Sequence, residues 1–270
     1  MVGMIDSHCH LDDSAFAFDR EAVVERARAA GVVGFLVAGV GPETWDAQRA
    51  LASGDVSVRW SAGVHPCVAA RLAPRALDAA LTSLPACFDG RAAASAVGET
   101  GLDTRFVGRE TLPQQTRAFE TQVELAMRLS VPLVLHLNGP GCHGRALALL
   151  RRAGPLARGG VVHGFSGSAE SALAYVALGL SISFSGTVAR SEARRVHAAA
   201  AAVPGTHLLV ETDAPDLALP GAPRRNEPCA LPAIVAALSA LRGVDAALLA
   251  TQTAANAAAL FGPFEADSAS

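Results

Sequence analysis

The first residues that could do chemistry are two histidines, His8 and His10, in the segment MIDSHCH at positions 4–10. On a β-strand the side chains of residues i and i+2 point to the same side, so both imidazoles project together while Cys9 points away. Two imidazoles directed at one point are typical of a metal site. Two isolated histidines form ordinary hydrogen bonds as readily as they bind a metal ion, so the rest of the sequence is needed to distinguish these interpretations.

Further metal-ligating side chains follow apolar runs later in the chain. Taken singly, a histidine at the end of an apolar run is more often a hydrogen-bonded core residue than a ligand. A single Asp or Glu there more often caps the helix that follows. Together, so many titratable groups are costly to bury at one place unless cations compensate them. The motifs GVHP, VGETGLD, PLVLH, GVVH and LLVETD contain His65, Glu99, Asp103, His136, His163, Glu211 and Asp213.

Four imidazoles and two carboxylates are too many ligands for one tetrahedral ion that also keeps a water. They suit two divalent ions, and we expect Glu99 to lie between them. Since every one of the 22 basic residues is arginine, no carbamylated lysine can bridge the ions. We expect Glu99 and Asp213 to be the catalytic carboxylates, with Asp213 orienting a metal-activated water and accepting its proton. The predicted ligands are His8, His10 and Asp213 on one ion, His136 and His163 on the other, and Glu99 on both.

The elements that must position these residues are short apolar runs alternating with longer segments rich in Ala, Leu and Arg. Strands without polar alternation, each followed by a helix, indicate parallel βαβ units covered on both faces. About eight such units predict an α/β fold, a (β/α)8 TIM barrel, whose usual size is about 250 residues. The predicted strands are 4–8, 34–40, 58–64, 93–99, 132–137, 160–165, 180–185 and 208–212, with helices such as 20–30, 114–129 and 169–178.

In a barrel of this kind the active site lies where the strands end, so we expect the metal site at the C-terminal ends of the strands. The alternative architecture, a doubly wound open sheet, lacks its G-x-G-x-x-G motif after the first strand. No linker is evident. We therefore expect one domain over residues 1–264 and a loose polar tail over residues 265–270.

The composition, 51% hydrophobic and 17% charged, is typical of a compact soluble protein. A net charge of −3 gives no global attraction for polyanions, so a nucleic-acid contact needs a local arginine cluster. The five cysteines are scattered and odd in number, which favours a reduced, cytoplasmic setting. We predict neither a secretory signal nor a membrane span, and hence no membrane partner.

Ordered motifs over nearly the whole chain resemble those of the TatD-family metal-dependent hydrolases, a branch of the amidohydrolase-like barrels. The resemblance implies a metal-dependent hydrolase of phosphodiester bonds, of the kind described as deoxyribonucleases. Its ligand pattern falls on the six residues that the strand ends indicate. The motifs are IDSHCH, SAGVHP, VGETGLD, QQTRAFETQVELAMRLSVPLVLH, VVHGFSGS, GLSISFSG, ETDAP, RRNEP and NAAALF.

The chain departs from the family's motif at Asn138, where the family usually has an arginine two residues after the histidine of the fifth strand. An arginine there would pair with a substrate phosphate, and asparagine lacks that charge. Three interpretations stay open: Arg145 or His143 compensates, the substrate is not a typical nucleic acid, or the loop tolerates change. The predicted substrate contacts are His65, Asn138, Arg225 and Asn226.

Three functions remain open. The first is a phosphodiesterase or exonuclease acting on DNA or RNA ends through a dinuclear metal site. The second is a two-metal hydrolase of a C–N bond, an ester or a small phosphoester, and the third is a catalytically idle barrel that binds a partner. The complete ligand set argues against the third. Four imidazoles favour zinc-like ions, but the sequence does not choose between zinc, manganese and magnesium, and it predicts no oligomeric state.

Overall fold

Eight parallel β-strands, hydrogen-bonded in chain order, form the centre of the computed structural model, which describes residues 3–265. The predicted tail therefore lies, apart from Glu265, outside the described residues. The strands are β1 (Met4–Cys9), β2 (Val32–Val37), β3 (Val58–Ala62), β4 (Ala96–Asp103), β5 (Leu133–Asn138), β6 (Gly160–Val162), β7 (Leu180–Phe184) and β8 (Leu208–Val210).

Helices connect the strands and surround them. Four α-helices have a proline in the first turn, where its missing N–H costs no helical hydrogen bond. The α-helices are α1 (Arg20–Ala29), α2 (Trp45–Gly54), α3 (Pro66–Arg71), α4 (Pro74–Ser83), α5 (Leu112–Leu129), α6 (Cys142–Ala153), α7 (Ala169–Val176), α8 (Arg194–Ala202), α9 (Leu231–Arg242) and α10 (Ala246–Phe261).

Hydrogen bonds between the ends of β1 and β8 bring the first and last strands together. The Asp213 amide donates to the His8 carbonyl at 3.0 Å, and the His10 amide donates to the Ala214 carbonyl at 2.8 Å. Below them, the Ser7 hydroxyl donates to the Val210 carbonyl at 2.9 Å. The strands thus form a nearly closed barrel, and the predicted (β/α)8 fold class is confirmed.

Alternate residues of the strands belong to two apolar clusters, as the pleat of a strand requires. The larger cluster packs the outer strand residues against the helices, with Trp60, Phe119 and Tyr175 among its fully buried side chains. The smaller cluster joins residues of the barrel interior to α10. Its strand members are Ile5, Leu36, Ala96, Val134, Val161 and Leu209.

The largest difference from the predicted boundaries is in β4, which continues to Asp103 instead of ending at Glu99. Two glycines of this strand, Gly98 and Gly101, have positive φ, of 149° and 142°. A Cβ atom at either position would collide with a backbone oxygen of β5. Glycine therefore lets β4 approach β5 closely while both strands continue, so Asp103 pairs with Asn138.

Among residues 3–265 no single helix is both long and apolar enough to cross a membrane. The segments 228–242 and 246–261 reach that length and composition only as a pair, and a bend of 110° separates them.

Candidate metal centre

The six predicted ligands converge at the C-terminal end of the barrel. His8 is in β1, Glu99 in β4 and His136 in β5. His10 and His163 directly follow β1 and β6, and Asp213 is the third residue after β8. Their donor atoms, together with one of His65, form overlapping groups, within each of which all atoms lie within 4.8 Å of one another. These groups are His8, Glu99 and His163; His8, His10 and Asp213; and His65, Glu99 and His136.

Four donor atoms on one side of the site have the spacing of ligands to a single ion. The Nε2 atoms of His8 and His10 each lie 3.6 Å from Glu99 Oε1, and 3.6 and 3.5 Å from Asp213 Oδ1. These distances are too long for hydrogen bonds, but tetrahedral ligands at zinc-like bond lengths are separated by about 3.4 Å. Both ring nitrogens of the buried His8 lack a hydrogen-bond partner. A cation would satisfy its Nε2 atom.

The other oxygen of Glu99 faces a different pair of histidines. Glu99 Oε2 lies 2.8 Å from His163 Nε2 and 3.5 Å from His136 Nδ1, and these two nitrogens are 3.1 Å apart. One carboxylate therefore presents one oxygen to each half of the site. This is the arrangement that a carboxylate shared by two ions requires.

The site is most deeply buried at His8 and Glu99 and opens toward His10, His136 and Asp213. The side chains of His8 and Glu99 are 0% and 2% exposed, whereas those of His10 and His136 are each 17% exposed and that of Asp213 is 13% exposed. Solvent thus reaches the cluster from the Asp213 and His136 sides.

Two further carboxylates lie behind the histidines. Asp103 Oδ2 is 3.0 Å from His136 Nε2, so that this nitrogen carries a proton and, in the neutral ring, Nδ1 has a lone pair for an ion. Glu211 Oε1 is 3.7 Å from His163 Nδ1 and accepts a hydrogen bond of 2.5 Å from the Gly164 amide. A carboxylate in the position of Asp103 fixes the orientation of a ligating imidazole, whereas 3.7 Å is too long for a hydrogen bond from His163 to Glu211.

Charges inside the cluster shift its protonation. Burial raises the pKa of Glu99, but His8 and His163 outweigh burial and hold that pKa well below its usual value. Burial lowers the pKa of His163, yet Glu99 and Glu211 raise it well above the usual value. In the protein without metal, the carboxylates therefore hold protons on imidazoles that an ion would displace.

His65 lies at the site but its hydrogen bonding excludes it as a ligand. Its Nδ1 accepts a hydrogen bond of 3.1 Å from the Cys67 amide, so a neutral ring carries its proton on Nε2, 3.9 Å from Glu99 Oε2. Burial, together with the charge of His136, lowers the pKa of His65 to about 3. At neutral pH His65 therefore offers one N–H donor toward the cluster.

The other three predicted substrate contacts are engaged within the protein. Asn138 Nδ2 donates to Asp103 Oδ2 at 3.1 Å, at the edge of the site. Arg225 pairs with Asp19 and Glu227 on the surface, at 2.8 and 2.7 Å. The buried Asn226 donates to the carbonyls of Thr212 and Asp216, each at 2.8 Å. It braces the segment that contains Asp213.

Asp103 is among neither the predicted metal ligands nor the predicted substrate contacts, although its spacing from Glu99 contains a signal. Residues 99 and 103 are four apart on one strand, so their side chains point to the same face. The predicted end of the fourth strand at residue 99 hides this relationship in the sequence.

A protein-family model described as TatD related DNase matches residues 5–262. The chain is 39% identical over 268 residues to a Klebsiella pneumoniae (strain 342) protein named 3′-5′ ssDNA/RNA exonuclease TatD, covering 96% of this chain and 98% of that protein. The solved structure of YjjV, a TatD homologue from Escherichia coli K12, is 34% identical with a TM-score of 0.89, covering 97% of this chain and 100% of that one. A TatD-family hydrolase from Entamoeba histolytica, 20% identical, has the same fold, with a TM-score of 0.81 and coverages of 97% and 99%.

Proposed function

The chain belongs to the family of TatD-related DNases, and from this we propose that it is a metal-dependent exonuclease that removes nucleotides from the 3′ ends of single-stranded DNA or RNA. The observation that supports the proposal most directly is the position of Glu99, whose two oxygens face two separate sets of histidines. Such a pair of sites suits the displacement of a phosphodiester oxygen.

Two divalent ions would be held by the six clustered side chains. One set consists of His8, His10 and Asp213, the other of His136 and His163, and Glu99 contributes an oxygen to each. Four imidazoles with two carboxylates favour zinc or manganese over magnesium, because magnesium prefers oxygen ligands and keeps several waters.

Bound divalent cations supply Lewis acidity, which lowers the pKa of an attacking water and neutralises charge on the phosphate. Asp213 is the carboxylate positioned to take the water's proton, because its side chain is 13% exposed whereas that of Glu99 is 2% exposed. Glu99 remains enclosed by imidazoles and keeps its negative charge. The two carboxylates thus have different tasks because only one of them meets solvent.

His65 would bind the substrate by donating its Nε2–H to a phosphate oxygen. The Cys67 amide fixes the tautomer, and the low pKa of the ring keeps it neutral. At the edge of the site, Asn138 and His136 both contact Asp103 Oδ2. Asn138 would donate its second amide hydrogen to the substrate. Arg225 and Asn226 would act by holding the loop after β8 in place.

The test is a metal and substrate matrix on purified protein. Elemental analysis should find two divalent ions per chain, and a 5′-labelled single-stranded oligonucleotide should shorten one nucleotide at a time from its 3′ end. The matched control is Glu99→Gln, which keeps the size of the side chain and should not degrade the oligonucleotide. Turnover of esters or amides without any oligonucleotide degradation would refute the nuclease and favour a two-metal hydrolase of another substrate class.

A further inference from the structure

The aromatic residues of this chain are almost all buried. The sequence has ten phenylalanines, two tryptophans and one tyrosine, and within residues 3–265 only Phe18 and Phe106 are exposed, at 102% and 68%. Both lie in loops that leave the C-terminal ends of strands, β1 and β4, where the metal centre lies. Exposing a phenylalanine forgoes the free energy of burying it, and of these two residues Phe106 is the one whose backbone is hydrogen-bonded to a residue of the site.

Phe106 is connected to the metal centre through a single side chain. The Asp103 carboxylate places Oδ2 3.0 Å from His136 Nε2, and its Oδ1 accepts hydrogen bonds of 2.7 Å from the amides of Arg105 and Phe106. One carboxylate thus holds both a predicted metal ligand and the backbone of the exposed aromatic residue. The phenyl ring is presented by a fixed loop, which reduces the entropy lost when a ligand packs against it.

The charge around Phe106 favours a polyanion. Arg105 and Arg109 are exposed on the same loop, and neither forms a salt bridge with any described residue. Glu110 is the loop's only acidic residue after Asp103. The Asp103 carboxylate already contacts His136 and accepts hydrogen bonds from Asn138 and two backbone amides. An aromatic face flanked by arginines is the combination that binds single-stranded nucleic acid, in which bases stack on rings while the guanidinium groups contact phosphates.

We propose that Phe106 is a base-stacking residue, which receives an unpaired base of the substrate strand beside the metal centre while Arg105 contacts the adjoining phosphate. This inference rests on the proposed nuclease function and adds a reason for single-strand preference, because a base within a duplex has both faces covered. It assigns the loop after β4 to recognition of the base and the metal centre to the phosphodiester bond.

The test compares Phe106→Ala with Phe106→Trp in the metal-loaded enzyme. Loss of one stacking contact should raise KM for a single-stranded oligonucleotide about tenfold and leave kcat nearly unchanged, whereas tryptophan should retain wild-type KM. Turnover of an aryl phosphodiester that lacks a base should be unchanged in Phe106→Ala. A loss on this substrate as well would mean that the ring supports the metal centre instead. The matched control is Leu248→Ala, an apolar residue that is 63% exposed on α10, and it should change neither substrate's kinetics.

A substrate-side change makes the test specific. Oligonucleotides with abasic sites at their 3′-terminal positions should bind the wild-type enzyme about tenfold more weakly than the parent oligonucleotide, and Phe106→Ala should abolish this difference. An unchanged KM in Phe106→Ala, or an equal loss on the base-free substrate, would overturn the stacking assignment. Failure of the wild-type enzyme to degrade any oligonucleotide would instead refute the proposed function.

Discussion

At the scale of single residues, the site depends on Glu99 being both buried and charged. A buried carboxylate ordinarily becomes neutral, because burial penalises its charge. Here His8 and His163 reverse that effect and hold the pKa of Glu99 well below its usual value. The anion is therefore stable only as long as positive charge surrounds it, whether this is supplied by protons on the imidazoles or by metal ions.

Replacing Glu99 with glutamine should remove the shared ligand without a large change in volume. We expect fewer than two ions per chain, and a loss of kcat/KM larger than the roughly 10- to 100-fold that follows loss of a group outside the ligand shell. Elemental analysis and oligonucleotide kinetics measure both effects. A fully active variant that retains two ions would show that Glu99 is not the bridge.

Asp103→Asn tests the orientation of His136. An amide keeps an oxygen for the loop amides but presents no negative charge to the imidazole, so metal affinity or activity should fall roughly 10- to 100-fold. Competition with a chelating dye measures the affinity, and the unfolding midpoint in urea controls for a folding defect. An unchanged affinity would mean that His136 is oriented by its other contacts.

The protonation of His10 predicts how metal binding depends on pH. Burial lowers the pKa of this imidazole, but the carboxylates of Asp213 and Glu99 raise it to about 9 in the metal-free protein, above the usual 6.5. A ligating imidazole must be neutral, so metal affinity should rise with pH up to about 9. The same shift stabilises the metal-free fold fully below pH 6.5, and this stabilisation is lost as the pH rises through 9.

Calorimetric titration with Zn²⁺ in two buffers of different ionisation enthalpy measures the protons released. At pH 7.5 we expect roughly one proton or more per chain. A binding enthalpy that is the same in both buffers would contradict protonation of the metal-free site.

At the scale of elements, the segment after β8 is held in place from two sides. The buried Asp6 of β1 accepts hydrogen bonds from the Thr212 amide and hydroxyl, at 2.9 and 2.5 Å. From the other side Asn226 donates to the carbonyls of Thr212 and Asp216. Asp213, which has a φ of 56°, lies between these anchors. Residues far from one another in the chain therefore fix one ligand.

Asn226→Ala and Arg225→Ala separate the two adjacent residues of this loop. The first removes the hydrogen bonds to the carbonyls of Thr212 and Asp216 and the one accepted from the Glu227 amide. This should reduce the free energy of unfolding by about 1–3 kcal/mol and also reduce kcat through Asp213. The second removes exposed ion pairs and should have a smaller effect on both. Urea unfolding and oligonucleotide kinetics measure the two quantities. Equal effects would show that Asn226 is not a buried anchor.

At the scale of the whole molecule, the two ends of the barrel have different tasks. The C-terminal end gathers titratable side chains, whereas α10 contributes Ala257 and Phe261 to the apolar cluster of the barrel interior. Stability and chemistry are thereby separated along the barrel axis, as is usual in barrels of this class.

Phe261→Ala should therefore destabilise the protein without altering the site. Phe261 is 4% exposed, and its truncation should cost about 3–5 kcal/mol in free energy of unfolding, with kcat of the folded fraction unchanged. Leu248→Ala on the same helix should change stability by no more than about 0.5 kcal/mol. A large drop in kcat for folded Phe261→Ala would show that the two ends are coupled.

The sequence by itself determined the barrel and the types of donor at its mouth. Apolar runs alternating with helical segments specify parallel strands with both faces covered, and the ends of these strands meet at one side of the sheet. His8, Glu99, His136 and Asp213 could be selected because each follows or ends such a run. The family motifs agree with this selection, and the family is confirmed by the match over residues 5–262.

Only the tertiary structure decided how those donors face one another. The two oxygens of Glu99 divide between two histidine sets, Asp103 supports His136, and Asn226 braces the Asp213 segment instead of reaching outward. Local periodicity records which face of a strand a residue occupies, but not its rotamer or its register against strands far away in the chain. Barrel closure and packing set those quantities, so the pairing of atoms emerges only when distant segments meet.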